Sequence, residues 1–251
     1  DARLALRLVA RDPDEALKVF ASAWKDVLDG FVAGPKEMTK AVERAADRFE
    51  QIPRKCELED LKKVIIVGEI YVRRDNFSVN ELSEALIEKG IYPKVTGVTE
   101  WIHYTDFVRK FKMEGRRRRE GWIGAMRDGG LKEEAVYVVE KVWKQTIEEK
   151  IAAILKPTGL VPHVPHNMNK IISDAKDVFI HPQLSSEATV SPAVAAAAMH
   201  EGYSGVAIIA PFGCLPGRVI EGVYAPWAKA KGYPVLALEN DGQPYPPNIF
   251  S

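Results

Sequence analysis

The chain is short of several things, and each shortage excludes something. Cysteine occurs only twice in 251 residues, at Cys56 and Cys214. That rules out a disulfide framework and is the usage of a reducing compartment, so the expected location is cytoplasmic. Neither sign of charge is in excess: 35 Lys and Arg stand against 35 Asp and Glu. No net field therefore draws the chain onto nucleic acid or an anionic membrane, and neither is expected as a partner. No apolar run approaches the ~18 residues of a membrane-spanning helix. There is no G-x-G-x-x-G after a strand and no Walker A pattern, which excludes a standard dinucleotide fingerprint and a P-loop. Internal repeats and low-complexity stretches are absent. The first residues, Asp1-Ala-Arg-Leu, carry neither an initiator Met nor a signal-peptide pattern and read as a piece of a longer or processed chain.

What is present is globular. A hydrophobic fraction of 46% with 28% charged residues is ordinary for a folded domain, and a chain of this size buries roughly 70–75% of its unfolded surface without a metal or disulfide staple. The charges are unevenly spread. Residues 1–156 hold 30 of the basic and 28 of the acidic side chains, and residues 157–251 only 5 and 7. The first part reads as exposed helices, the last as a core or an interface.

Hydrophobic spacing assigns the elements. Helices are expected from Pro13 to Gly30 and from Pro35 to Phe49, each with proline in its first turn. Lys63-Val-Ile-Ile-Val-Gly-Glu-Ile70 is a β-branched run of the kind buried on both faces. A helix over 79–89 follows, with Ser78 as its cap and Glu81 at capping-box distance, then a strand over 92–96. Together they predict one β-α-β unit. Residues 98–156 form an aromatic, basic and then strongly helical insertion. Further strands are expected at 177–180, 205–210 and 234–238, with helices over 191–201 (Ser191 as cap, Pro192 in the first turn) and 216–230. The fold class this predicts is α/β, an open, mostly parallel sheet of the Rossmann or flavodoxin type with additional N-terminal and inserted helices. The division is an N-terminal helical segment over 1–60 and an α/β lobe over 61–251, interrupted at about 98–156.

Ligands of such sheets sit outside the carboxyl ends of the strands, which directs attention to three loops. Gly68-Glu69, with Tyr71, Arg73, Arg74 and Asn76, is a polar cluster just past an apolar strand; it either meets a ligand or pairs with itself on the surface. Gly205 to Pro216 runs a buried strand into a tight turn holding Cys214 at a helix start. Helix N-termini favour the thiolate that binds iron or attacks an electrophile, although a small buried residue in a turn is an equal reading. Glu187 and His181 read first as groups satisfying loop backbone and second as an acid/base pair. His163 and His166 are three apart across Pro165, a poor chelate. Seven cations between Arg109 and Arg119 read first as a solvated helix face and second as a phosphate grip.

Several segments together resemble a known family. Gly68-Glu-Ile-Tyr-Val-Arg-Arg-Asp-Asn-Phe-Ser-Val-Asn80, Thr99-Glu-Trp-Ile-His-Tyr-Thr105, Phe212-Gly-Cys-Leu-Pro216 and Pro234-Val-Leu-Ala-Leu-Glu-Asn-Asp241 look like the C-terminal region of activase-related proteins (CoA-substrate-specific enzyme activases) homologous to 2-hydroxyacyl-CoA dehydratase subunits. The resemblance runs from about residue 60 to the C-terminus. It implies a cytoplasmic lobe that helps hold an iron–sulfur cluster, of [4Fe–4S] or larger type, for low-potential electron transfer or radical dehydration of CoA thioesters. Cys214 matches a cluster ligand, Arg73 and Asn76 would line the cofactor cleft, and Glu69 and Glu187 would be the catalytic carboxylates. The chain departs from the pattern in one respect: a cluster takes about four thiolates, and Cys56 sits in no cluster motif. The ligand set here is therefore incomplete, so the resemblance implies a partner, either an N-terminal lobe or another subunit, and no activity for this chain alone. The alternative is a non-catalytic interaction or ligand-binding module without a cluster, in which Cys214 is structural.

Overall fold

A computed structural model describes residues 1–127, 129–162, 167–246 and 249. In chain order the elements are α1 (Ala2–Val9), α2 (Pro13–Ala33), α3 (Pro35–Glu50), β1 (Lys63–Gly68), α4 (Asn76–Glu88), β2 (Tyr92–Val95) and α5 (Val98–Met126). They continue with α6 (Gly130–Leu155), α7 (Met168–Ala175), α8 (Glu187–His200), β3 (Gly205–Pro211), α9 (Leu215–Ala230) and β4 (Val235–Asn240). The chain divides into two compact units, one of residues 1–61 and 126–163 and one of residues 62–125 and 164–251. Among the described residues no helix is long and apolar enough to cross a membrane. The histidine pair 163/166 lies outside the described residues.

The first unit is helical. Asp12 caps α2 by accepting the Glu15 N–H at 3.1 Å, and Pro13 occupies the position where a missing N–H costs nothing. The helix continues past Gly30 to Ala33. Gly30 was expected to end it; instead it lies where α3 comes close, and a Cβ there would stand 2.9 Å from the Glu37 carbonyl oxygen. The short α1 was not apparent in the sequence. Its apolar face is Ala5, Leu6, Leu8 and Val9, all buried.

The second unit is built on a four-stranded, all-parallel sheet in the order β2-β1-β3-β4. The period-two alternation of strands sends Ile65, Val67, Val206 and Ile208 to one face, under α5, α7, α8 and α9. Ile66, Ala207 and Ile209 go to the other, under α4. Helices therefore cover both faces, as the near-continuous apolar runs required. From β1 the chain moves outward to β2, and from β3 it moves outward the other way to β4. The strand order reverses between β1 and β3, the topological switch point at which open α/β sheets present a crevice at their carboxyl edge.

Three local expectations are corrected. Residues 177–180 form a turn following α7, in which the Val178 and Phe179 N–H groups donate to the Ala175 carbonyl. Phe179 finds its burial against the rings of Tyr224 and Trp227 on α9, at centroid distances of 5.8 and 5.1 Å, so this apolar tetrapeptide needs no strand partner. Helix α4 is capped by Asp75, which accepts from both the N–H and the hydroxyl of Ser78; Glu81 accepts the Tyr245 N–H instead of closing a capping box. Helix α8 starts five residues early, with Ser186 as its cap, and Pro192 lies inside it.

Candidate functional site

The carboxyl ends of β1 and β3 are adjacent, since Gly68 pairs with Ile209 in a parallel ladder. Glu69 and Cys214, which follow those strands, thus emerge at the same edge of the sheet. Gly68 makes the arrangement possible. Its φ is +128°, and a Cβ there would lie 1.9 Å from the Ile209 carbonyl oxygen. The same oxygen accepts the Glu69 N–H at 3.0 Å. On the other side the Gly68 carbonyl accepts from the Ser191 hydroxyl of α8 at 3.4 Å, so α8 is laid against the end of β1.

Past Gly68 the chain coils tightly. The Glu69 carboxylate accepts the Val72 N–H at 2.8 Å and the Glu69 carbonyl accepts from Arg73. This carboxylate is occupied in shaping its own turn. Asn76 is the first residue of α4 and is exposed. Arg73 points inward and is only 1% exposed. Its Nη1 donates to the Thr96 hydroxyl and to Glu100 Oε1 at 2.8 Å, while the Thr96 hydroxyl donates to the Ile66 carbonyl at 2.9 Å. The guanidinium thereby ties the β1–α4 turn to the end of β2 and the first turn of α5.

Charge is buried here on both sides. Burial pushes the Glu100 carboxyl above its usual range, with Arg73 and Lys94 opposing. Burial pulls the Lys94 ammonium down to about 8; Arg74 adds to this and Glu100 opposes it. Among the described residues Arg73 Nε and Nη2 and Glu100 Oε2 make no hydrogen bond, so the pair is held by one contact rather than a two-pronged fork. Sequence reasoning missed Thr96, Glu100 and Lys94. The available signal was a lysine inside an apolar strand, a placement that implies either an edge or a buried partner.

At the end of β3, the Phe212 N–H donates to the Asn240 carbonyl and the Cys214 N–H to the Pro211 carbonyl. Cys214 is the N-cap of α9 and makes no side-chain cap bond. Its thiol is free and partly exposed, between Phe212 and Leu215, which are 71% and 74% exposed. Gly217 fixes the height of this helix start, since a Cβ there would sit 2.3 Å from that of Ala210.

The third loop does not follow a strand. His181 Nδ1 accepts the Gln183 N–H at 3.3 Å, and its ring stands edge-on to Phe111 at 6.2 Å. Glu187 opens α8, one turn before Ser191. Near it lies the buried Tyr104 hydroxyl of α5, raised above its ordinary value by burial and by the Glu187 charge, with Thr189 and the Ser186 backbone opposing. His181 and Glu187 therefore serve different neighbours, a backbone amide and the surroundings of Tyr104. In the basic run on α5, Lys110 pairs with Glu114 at 3.5 Å.

The donors present fit one corner of a metal cluster and not a whole one. Among the described residues no group of three or more His, Cys, Asp or Glu could hold a metal ion. Comparison with known proteins adds no assignment: no family model, no curated protein and no solved structure matches the chain.

Proposed function

We propose that the parallel-sheet unit is a cofactor-binding lobe of an iron–sulfur protein of the 2-hydroxyacyl-CoA dehydratase type, in which Cys214 is one thiolate ligand and a further lobe or subunit brings the rest. The observation that carries this reading is the place of Cys214. It is a partly exposed thiol at a helix N-cap, on the carboxyl edge of the strand at the switch point, with apolar Phe212 and Leu215 exposed on either side. A bound cluster supplies one-electron chemistry. The chain's own residues set the stage for it. Cys214 is the N-cap of α9, and a helix N-terminus suits a negatively charged sulfur; Phe212 and Leu215 would exclude water once covered. Glu69, past the end of β1, and Glu187, at the start of α8, are the candidate proton-handling groups for a CoA thioester ligand, and Glu69 would first have to release the Val72 N–H.

The complete gene product, purified without oxygen, should contain iron and sulfide, and Cys214→Ser should remove or convert that cluster while this chain alone carries none in stoichiometric amount. Unchanged iron and sulfide in the Cys214→Ser protein would sink the proposal. One observation favours the second reading, a ligand-binding or interaction module without a cluster: Glu69 and Arg73 are engaged in building the loop. In that reading the complete gene product is colourless.

A further inference from the structure

A cleft of about 690 Å³ opens in the helical unit, where α2 begins and the chain leaves α3. That volume lies within the range of small-molecule sites. Its floor is apolar, made by Ala16, Val19, Ile52 and Pro53. Its walls are fixed by backbone bonds across the α1–α2 joint: the Arg11 N–H donates to the Pro53 carbonyl at 2.9 Å and the Lys55 N–H to the Val9 carbonyl at 2.8 Å.

The charges around it are nearly all engaged. Asp12 is used as the cap of α2. Glu15 pairs with Lys18 at 3.1 Å, and Arg48 with Asp26 at 2.8 Å. Arg11 is the exception. Its Nε donates to the Arg54 carbonyl at 3.0 Å, which anchors the guanidinium by one corner, while its two terminal nitrogens have no partner among the described residues. An anchored guanidinium above an apolar floor is half of a recognition site. The outer edge, with two parallel N–H donors, matches the two oxygens of a carboxylate. Asp12 keeps its negative charge as a cap and adjoins Arg11, so the positive charge offered is at most one unit, which disfavours a phosphate dianion relative to a carboxylate.

We propose that this cleft binds a small organic carboxylate, its hydrocarbon body on the Ala16–Val19–Ile52–Pro53 floor and its head in the fork of Arg11. The site belongs to the helical unit and does not depend on what the carboxyl edge of the sheet is assigned to do. Isothermal titration and saturation-transfer NMR with sodium octanoate test it, with octylamine as the probe of equal length and opposite charge. Octanoate should saturate a single site and octylamine should bind at least ~10-fold more weakly. Arg11→Gln should weaken octanoate ~10-fold, equivalent to about 1.4 kcal/mol. Arg11→Lys, keeping the charge but not the fork, should fall between, and Arg3→Gln on α1, outside the cleft, should change nothing. Failure of octanoate to saturate by about 10 mM overturns the proposal, as does equal binding of octylamine or indifference to Arg11→Gln in a variant whose circular dichroism is native.

Discussion

The sharpest prediction concerns Gly68, where a single methyl group meets two obstacles at once. Alanine there must adopt φ near +128°, a region open almost only to glycine, at a cost of about 1–3 kcal/mol. The methyl would also stand 1.9 Å from the Ile209 carbonyl oxygen, so the strand end must move. Doing so breaks the Glu69–Ile209 hydrogen bond, worth about 1 kcal/mol, and disturbs the Ser191 contact. The expected loss is about 3–4 kcal/mol, a large share of a typical stability of about 5–15 kcal/mol, and roughly 10 °C in Tm. Gly90→Ala is the control: its φ is +72° and nothing lies within 4 Å of the added methyl, so it should cost only about 1 kcal/mol. Hydrogen exchange read at the amides of β1 and β3 reports on the sheet unit alone, and urea melts give the total. If Gly68→Ala falls within about 1 kcal/mol of Gly90→Ala, the close approach of β1 to β3 is not as described, and the geometry of the carboxyl edge goes with it.

Further expectations follow from the same edge. Cys214 caps α9 without a side-chain bond, and serine is a better cap, so Cys214→Ser should raise stability by about 0.5–1 kcal/mol in a thermal melt; a loss of stability would show the thiol to be packed. Glu100→Gln should cost about 3–5 kcal/mol by leaving Arg73 buried without its counter-charge, and Arg73→Met with Glu100→Leu should recover most of it; a double variant as weak as the single would refute this. Lys94 has its folded value lowered to about 8, so the unfolded chain holds that proton more tightly and stability should rise with pH above about 8. Near pH 10 the buried tyrosines, raised by burial (Tyr233 to about 12), should reverse the trend, because the unfolded chain then loses protons first. Chemical denaturation across pH 7–9.5 should show the rise, and Lys94→Met should abolish it; an unchanged rise in that variant would move the cause elsewhere.

The sheet was legible because its strands are continuous β-branched runs, Lys63–Gly68 and Gly205–Pro211, whose burial on both faces leaves a mark in composition alone. Their parallel pairing followed from the helices between them. Residues 177–180 misled because four apolar residues carry no period; only the rings of Tyr224 and Trp227, more than forty residues on, decide that Phe179 packs rather than pairs. Ser191-Pro192 looks like a helix start because serine and proline favour one. Here Ser191 instead spends its hydroxyl on Gly68, and the true cap, Ser186, follows a left-handed Ser185. At the candidate site the loops after β1 and β3 were legible, while the loop holding His181 and the side-chain directions were not. Whether Arg73 faces a cleft or the core depends on Glu100, which lies 27 residues away in a segment whose pattern shows aromatics and bases rather than a buried carboxylate.

The strand order has a consequence for how the protein is made. The inner partner of β1 is β3, whose register begins at Gly205 opposite Val64, about 140 residues later in synthesis. At roughly 5–20 residues per second, β1 waits on the order of ten seconds or more with one apolar edge unpaired. During that interval the nascent chain can form only the β1–β2 pair, an exposed edge of the kind that pairs with other chains. Fragments ending before residue 205 should therefore aggregate, and nascent chains of that length are where a holdase would be needed.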